Sequence, residues 1–182
     1  MSVAASMVSE ATAYRYFPDL VSLLREALAG LWPDPVQAME AVSGSADPVK
    51  RVAFACEYLL RGVQAYQGAV RAMISHTINA PTQGPGDAQV PAQVRPGIRF
   101  GLIDYALAPF EGSAGASPAP VTLGPDAMAR LKLDLAVAVS AEALFVLTDL
   151  CGLSPDDAIA SATATASTLT RAAFAAATGP AG

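Results

Sequence analysis

The sequence contains little of the side-chain chemistry that most enzymes use. Its only histidine is His76, and its two cysteines, Cys56 and Cys151, lie far apart in the chain. No Cys or His pair has the spacing of a metal site, and no glycine-rich phosphate loop follows a predicted strand. A lone histidine near a helix end is more simply structural or exposed than catalytic. We therefore predict no enzyme activity, no catalytic residues, no metal and no cofactor.

Long uncharged apolar runs are also lacking. The longest apolar stretch, residues 131–153, is interrupted by four charged residues: Lys132, Asp134, Glu142 and Asp149. Since a membrane helix needs about 20 predominantly apolar residues, we predict no membrane association. The first residues lack the basic and then apolar pattern of a signal peptide. Cys56 and Cys151 lie within apolar patterns, which favours buried free thiols in the reducing cytoplasm.

Apolar residues are abundant instead, since 53% of the chain is hydrophobic and only 15% is charged. The mean hydropathy of +0.39 is high for a chain without a membrane segment, which suggests an additional buried surface such as a subunit interface. Alanine, the best helix former, is frequent, and β-branched residues rarely alternate with polar ones. The sequence therefore predicts an all-α fold.

Apolar periodicity and capping residues place the helices. Ser154-Pro155-Asp156-Asp157 combines an N-cap, a proline and two acids, which is a strong helix start, and Gly152 is a helix stop. Arg51 falls on the polar face of the longest predicted helix, among other charged residues. The predicted helices cover residues 19–32, 36–42, 48–79, 98–108, 125–151 and 155–177, with linkers at 80–97 and 109–123.

The last two predicted helices have more apolar surface than one chain can cover. The helix at 125–151 is apolar nearly all round, so it requires neighbours on several sides. The final helix carries a stripe of mostly small residues that allows a partner helix to approach closely: Ile159, Ala162, Ala166, Leu169 and Ala173. A two-fold dimer that pairs these helices into a four-helix bundle would cover them. We predict a homodimer formed through residues 124–177.

A second group of residues is a candidate ligand pocket. Tyr66, Met73 and His76 lie on the helix at 48–79, and Phe100 and Tyr105 lie on the next one. Together they would line an apolar cavity with a few polar groups, which is the usual character of a small-molecule site. The alternative is that each of them simply fills the core. The first interpretation predicts an apolar ligand that enters past the linkers at 80–97 and 109–123.

The segment Ser9–Phe17 has the pattern of a short helix dense in hydrogen-bonding groups. Ser9 is a good N-cap and Pro18 ends the helix. Ala13 and Phe17 can face a core, so the remaining polar side chains point elsewhere. These are Thr12, Tyr14, Arg15 and Tyr16, the residue types that reach phosphates and base edges. A surface helix with a few aromatic anchors is the alternative.

Two segments of the chain resemble the TetR family of transcriptional regulators. Val8–Pro18, followed by Leu23-Leu24, is similar to the family's recognition helix, V-S-x-x-T-x-Y-x-Y-F. The run from Ala141 to Ala158 is similar to the family's pattern E-A-L-x-V-L-x-D-x-C-G-L-x-P-E-E-A. The resemblance implies a partial helix-turn-helix domain at 1–35 and a helical ligand-binding and dimerisation domain at 36–182.

The same resemblance implies a function and a set of contacts. The protein would be a cytoplasmic, homodimeric regulator, most simply a repressor, which binds operator DNA and is controlled by an apolar small-molecule inducer. Glu10 and Ala11 would face base edges, while the other polar side chains would contact phosphates. The implied DNA-binding residues are Ser9, Glu10, Ala11, Thr12, Tyr14, Arg15 and Tyr16.

Two observations argue against DNA binding by this chain. Residues 1–35 hold two positive and four negative side chains, a net charge of -2, whereas DNA-binding modules usually carry a basic surplus. In addition, a whole helix of the family would precede residue 1, so the first helix of the motif is reduced to a stub. These points predict weak DNA binding. They leave an alternative function, that of a dimeric helical ligand-binding module that no longer binds DNA.

Overall fold

The computed structural model describes residues 34–79, 97–112 and 121–178, and this part of the chain is all-α, as predicted. It contains no strand within these ranges, only an isolated bridge between Glu111 and Leu123. The α-helices are α1 Pro35–Ala38, α2 Pro48–Ala65, α3 Gln67–Asn79, α4 Ile98–Leu107, α5 Pro125–Ala138, α6 Ala141–Phe145 and α7 Pro155–Thr178. Short 3-10 turns occupy Glu40–Val42 and Ala108–Phe110, and a π-helical turn follows α6 at Val146–Leu150. None of the described helices is long and apolar enough to span a membrane.

The described residues fall into two compact units. Residues 34–67, 97–112 and 121–178 belong to one unit, which we call the helical body. Residues 68–79, which are most of α3, belong to the other unit, and Val70 is buried there. The predicted helix at 19–32 and nearly all of the predicted domain at 1–35 lie outside the described ranges.

The long helix predicted at 48–79 is divided at Tyr66, so the prediction of one continuous helix was wrong. Tyr66 has φ -120° and ψ 28°, although its amide still donates to the Gly62 carbonyl at 3.2 Å. Glycines at positions 62 and 68 flank the break, and each costs about 1 kcal/mol of helix propensity relative to alanine. The apolar spacing continues across the break, which is why periodicity alone did not locate it.

The core of the helical body is formed largely by α2 and α7. Val52, Cys56 and Leu60 on α2 are almost fully buried, and α7 packs against this helix. On α7 the buried residues are mostly small, so the two helices approach closely: Ala158, Ile159, Ala162 and Ala166. The small-residue stripe was expected to receive a partner subunit. Its first members, Ile159, Ala162 and Ala166, are instead buried within the same chain.

Arg51 is the largest side chain in the core, with 2% of its surface exposed. Its guanidinium donates to four backbone carbonyls at 2.8 Å, those of Val42, Ser43, Tyr105 and Ala106. It also lies over the Tyr105 ring, 5.6 Å from the centroid. Burial lowers the pKa of Arg51, and the interaction with Tyr105 opposes that effect. The prediction that Arg51 lies on the polar face of its helix, exposed to solvent, was wrong. The side chain can be buried because these carbonyls take the place of the water that would hydrate it.

The helix predicted at 125–151 is interrupted at Val139 and Ser140, and this prediction of a continuous helix was also wrong. Val139 has ψ 66° and Ser140 is extended, with φ -150° and ψ 151°. The Ser140 hydroxyl accepts from the Ala143 amide at 3.0 Å and donates to the Val137 carbonyl at 2.8 Å. Ser140 is thus the N-cap of α6, and Glu142 is the acid expected in a first turn. That pair of residues was the local signal for the break.

The ends of the last two helices agree with the sequence. Gly152 has φ +70°, the left-handed conformation that ends a helix. The Ser154 hydroxyl accepts from the Asp157 amide at 3.2 Å and donates to the Asp157 carboxylate at 2.6 Å. The helix start predicted at Pro155 is therefore confirmed, and so is the helix predicted at 98–108, which ends one residue earlier.

The two cysteines have opposite environments. Cys56 is fully buried, as predicted, and burial raises the pKa of its thiol to about 11, while the Thr163 hydroxyl beside it lowers that pKa. Cys151 is exposed, which corrects the prediction that both thiols are buried. Cys151 directly follows the π-helical turn and lies in the short segment that connects it to α7.

Candidate interaction face

An apolar groove of about 600 Å³ opens on the helical body between α5, α6 and α7. Two of its walls lie on opposite sides of the break at Val139 and Ser140, with Val137 before the break and Val146 after it. Its surface is mainly apolar, and its apolar residues include Val137, Ala138, Ala143, Val146, Leu147, Ala162 and Leu169. We call this feature the apolar groove.

Exposed aliphatic side chains extend the apolar groove along the helices. Val137 is 75% exposed and Val146 is 49% exposed. One turn further from the break, Leu133 on α5 is 65% exposed and Leu150 in the π-helical turn is 81% exposed. Isolated exposed aliphatic residues are common, but here two line the groove and each of the other two lies four residues along the chain from one of them, a pattern typical of an interaction surface. The helix predicted to be apolar all round therefore leaves one side uncovered.

The charged residues at the groove occur as pairs of opposite sign. Arg99 and Glu142 lie 3.2 Å apart. Asp134 on α5 accepts a hydrogen bond at 3.1 Å from Arg130, which lies one turn earlier in the same helix. Their charges cancel locally, although the whole chain has a net charge of -5. A second copy of this face would therefore meet no surplus of like charge here.

The seven-residue spacing of Glu142 and Asp149 would place two carboxylates on one face of a regular helix. Glu142 is instead paired with Arg99, and Asp149 accepts from the Thr148 hydroxyl at 2.9 Å. Asp149 lies within the π-helical turn, so seven residues no longer correspond to two regular turns. Glu142 therefore contacts Arg99, whereas Asp149 contacts Thr148.

A second polar cluster lies where α4, α5 and the segment after α4 meet. Lys132 lies 2.7 Å from both Asp104 and Glu111. Burial lowers the pKa of Lys132, but hydrogen bonds to the two carboxylates outweigh it, so the pKa is raised overall. Smaller depressions open on either side of Lys132. The cluster joins three segments of the body and is fully explained as a structural contact.

The predicted ligand-pocket residues are distributed over both units. Tyr66 is 40% exposed and Phe100 is 49% exposed, while the Tyr105 ring lies beneath the Arg51 guanidinium. Met73 is half-buried in the other unit, and the His76 side chain lies outside the described atoms. The shared cavity for these five residues stays a prediction.

The predicted DNA-binding residues, Ser9 to Tyr16, lie outside the described part of the chain. Within the described part, no group of three or more His, Cys, Asp or Glu side chains is arranged to hold a metal ion. The feature that sequence reasoning missed is the apolar groove, whose position depends on the unpredicted break at Ser140.

The described part of the chain is all-helical and carries an open apolar groove between α5, α6 and α7. No protein-family model, curated protein or solved structure matches this chain.

Proposed function

We propose that the protein is a homodimeric transcriptional regulator of the TetR type, which binds operator DNA and responds to an apolar small molecule. The observation that carries this proposal is the segment Val8–Pro18 with Leu23-Leu24, which matches the spacing of the family's recognition helix. The all-α body is compatible with the proposal.

The homodimer is proposed to form through the apolar groove and the exposed aliphatic residues beside it. A second copy is the occupant that the surface suits best, because it offers equal apolar area and the same locally neutral charge pairs. In a two-fold interface each copy contributes the same patch, so a self-complementary surface is required. Val137, Val146 and Leu150 would be its central apolar contacts.

The recognition segment would contact DNA mainly through phosphates. Thr12, Tyr14 and Tyr16 carry hydroxyl donors, and Arg15 adds a positive charge. Glu10 would approach base edges, where a carboxylate accepts a hydrogen bond from cytosine. Phosphate contacts carry no sequence information, so losing one weakens binding to all sequences alike.

The test is a fluorescence-anisotropy titration with DNA from the region upstream of the protein's own gene, at low and at physiological salt. The 182-residue chain should bind weakly, and a version extended by a family-like N-terminal helix should bind a palindromic site in a salt-sensitive manner. In the extended version, Tyr16→Phe should weaken binding to specific and random DNA equally. Tyr58→Phe, which changes a tyrosine stacked on Phe54 in the body, is the matched control and should bind normally.

A second candidate is a dimeric helical ligand-binding module without DNA binding. The net charge of -2 over residues 1–35 favours it, since phosphate neutralisation supplies most of the affinity for DNA. Dimerisation of both versions, without DNA binding by either, would select this candidate. Tight, sequence-specific binding by the 182-residue chain would instead show that the added helix is dispensable.

A further inference from the structure

We propose that Arg99 is a positioning residue for the homodimer interface, because it bridges the break between α5 and α6 and thereby sets the shape of the apolar groove. The inference rests on the homodimer of the proposed function. It concerns Arg99 of α4, which is also one of the residues that line the groove.

Arg99 contacts both sides of the break from a third helix. One terminal nitrogen, Nη1, donates to the Ala136 carbonyl at 3.3 Å, in the last turn of α5. The other, Nη2, donates to the two carboxylate oxygens of Glu142 at 3.4 and 3.2 Å, in the first turn of α6. A guanidinium can hold both partners at once because its donors form a rigid planar fork.

The two partners are those that helix ends require. The last carbonyls of a helix lack intrahelical donors, and a cation is favourable there. Glu142 occupies the opposite kind of position, near the positive end of α6. Arg99 therefore satisfies the end of one helix and neutralises the acid at the start of the next.

The geometry of the break determines the groove. Val137 lies directly before the break and Val146 lies on the segment after it, and both line the groove. A change in the angle between α5 and α6 changes the separation of these walls. Ser140 fixes the break locally through its cap, whereas Arg99 ties it to α4.

The ion pair between Arg99 and Glu142 is less exposed to solvent than an ordinary surface ion pair. The side chains of Arg99 and Glu142 are 21% and 34% exposed, so solvent screens them less than it screens the Arg130–Asp134 pair, whose arginine is 77% exposed. Each pair has at least one member that lines the groove, and each involves one arginine. Arg130→Ala is therefore a control that removes the same charge without touching the break.

The first measurement is the dimer dissociation constant of the full chain by analytical ultracentrifugation. We expect Arg99→Ala to raise it by about tenfold, because α5 and α6 would no longer be held at the angle that the partner subunit requires, and Arg130→Ala to change it by less than about twofold. Arg99→Lys keeps the charge but lacks the fork, so it should give an intermediate value. If Arg99→Ala fails to fold, the proposal can still be tested with Arg99→Lys.

The second measurement is amide hydrogen exchange, which separates positioning from general stabilisation. In Arg99→Ala, exchange should accelerate at residues 139–143 and remain unchanged in α2, which does not line the groove. Acceleration throughout the body with an unchanged dissociation constant would overturn the proposal in favour of a structural role. An unaltered dissociation constant and unaltered exchange would overturn it as well.

The sedimentation measurement also distinguishes the positioning role of Arg99 from the proposed homodimer on which that role rests. A wild-type chain that remains monomeric at high micromolar concentration would refute the homodimer and, with it, the role of Arg99. A dimeric wild type that is insensitive to Arg99→Ala would refute only the positioning role.

Discussion

Arg51 joins three parts of the helical body, one of which, α4, is distant from it in sequence. Its guanidinium links α2 to the 3-10 turn at Glu40–Val42 and to the C-terminal half of α4. Replacement by methionine would fill part of the volume but leave buried carbonyls without donors. We expect Arg51→Met to lower the free energy of unfolding by roughly 3 kcal/mol, measured by urea denaturation.

The control for this substitution is Arg130→Met, which removes an arginine whose side chain is 77% exposed. Its urea midpoint should remain close to that of the wild type, because exposed ion pairs contribute little. Equal losses in the two variants would mean that the buried carbonyls find other donors, and the role assigned to Arg51 would be refuted.

At the scale of the element, the exposed side of α5 should decide self-association. Val137→Lys places a charge on the apolar groove at a position that is 75% exposed, so the monomer has room for it. We expect this variant to sediment as a monomer at concentrations where the wild type is a dimer. The matched control is Val36→Lys on α1, where a valine that is 55% exposed lies away from the groove.

A dimeric Val137→Lys variant would exclude the groove as the interface. Ala166→Arg is a poorer test, although its position belongs to the small-residue stripe. Ala166 is fully buried against the chain's own core, so the substitution would disrupt the monomer before any dimer.

Local signals explain which features of the helices were predictable. Gly152 and Ser154 act through their own backbone and capping bonds, so the end of one helix and the start of the next followed from the sequence. The break at Tyr66 was not predictable from spacing, because the apolar pattern continues through it. The break after Ala138 had a local signal in Ser140. The hydrogen bond from Arg99 to the Ala136 carbonyl was not predictable, because Arg99 lies on α4, far away in the chain.

Partners distant in the sequence explain what was missed at the candidate site. The small residues of α7 were correctly seen as a close-packing surface, but nothing local indicated that most of them would be buried within the same chain. Likewise, Arg51 has the spacing of a solvent-facing residue, and only the carbonyls at positions 42, 43, 105 and 106 make its burial possible. The interface predicted at 124–177 contains most of the residues that line the groove, but the prediction did not identify the groove itself.

At the scale of the whole molecule, the net charge of -5 separates the two proposed associations by their response to salt. Two acidic chains repel each other, so raising the salt from about 50 to 200 mM should leave the dimer unweakened or tighten it slightly. DNA binding by the extended version should weaken steeply over the same range. Sedimentation and anisotropy series would measure these opposite trends, and a dimer that dissociates at high salt would contradict an apolar interface.

The contrast between the two thiols makes the protein a natural single-site labelling target. A maleimide or nitroxide reagent reacts with the thiolate, and the buried Cys56 is both inaccessible and poorly ionised. Cys151 is exposed next to Leu150, at one end of the proposed interface. An unmodified wild-type chain therefore offers one attachment point per copy, from which a distance between two subunits can be measured without introducing or removing a residue.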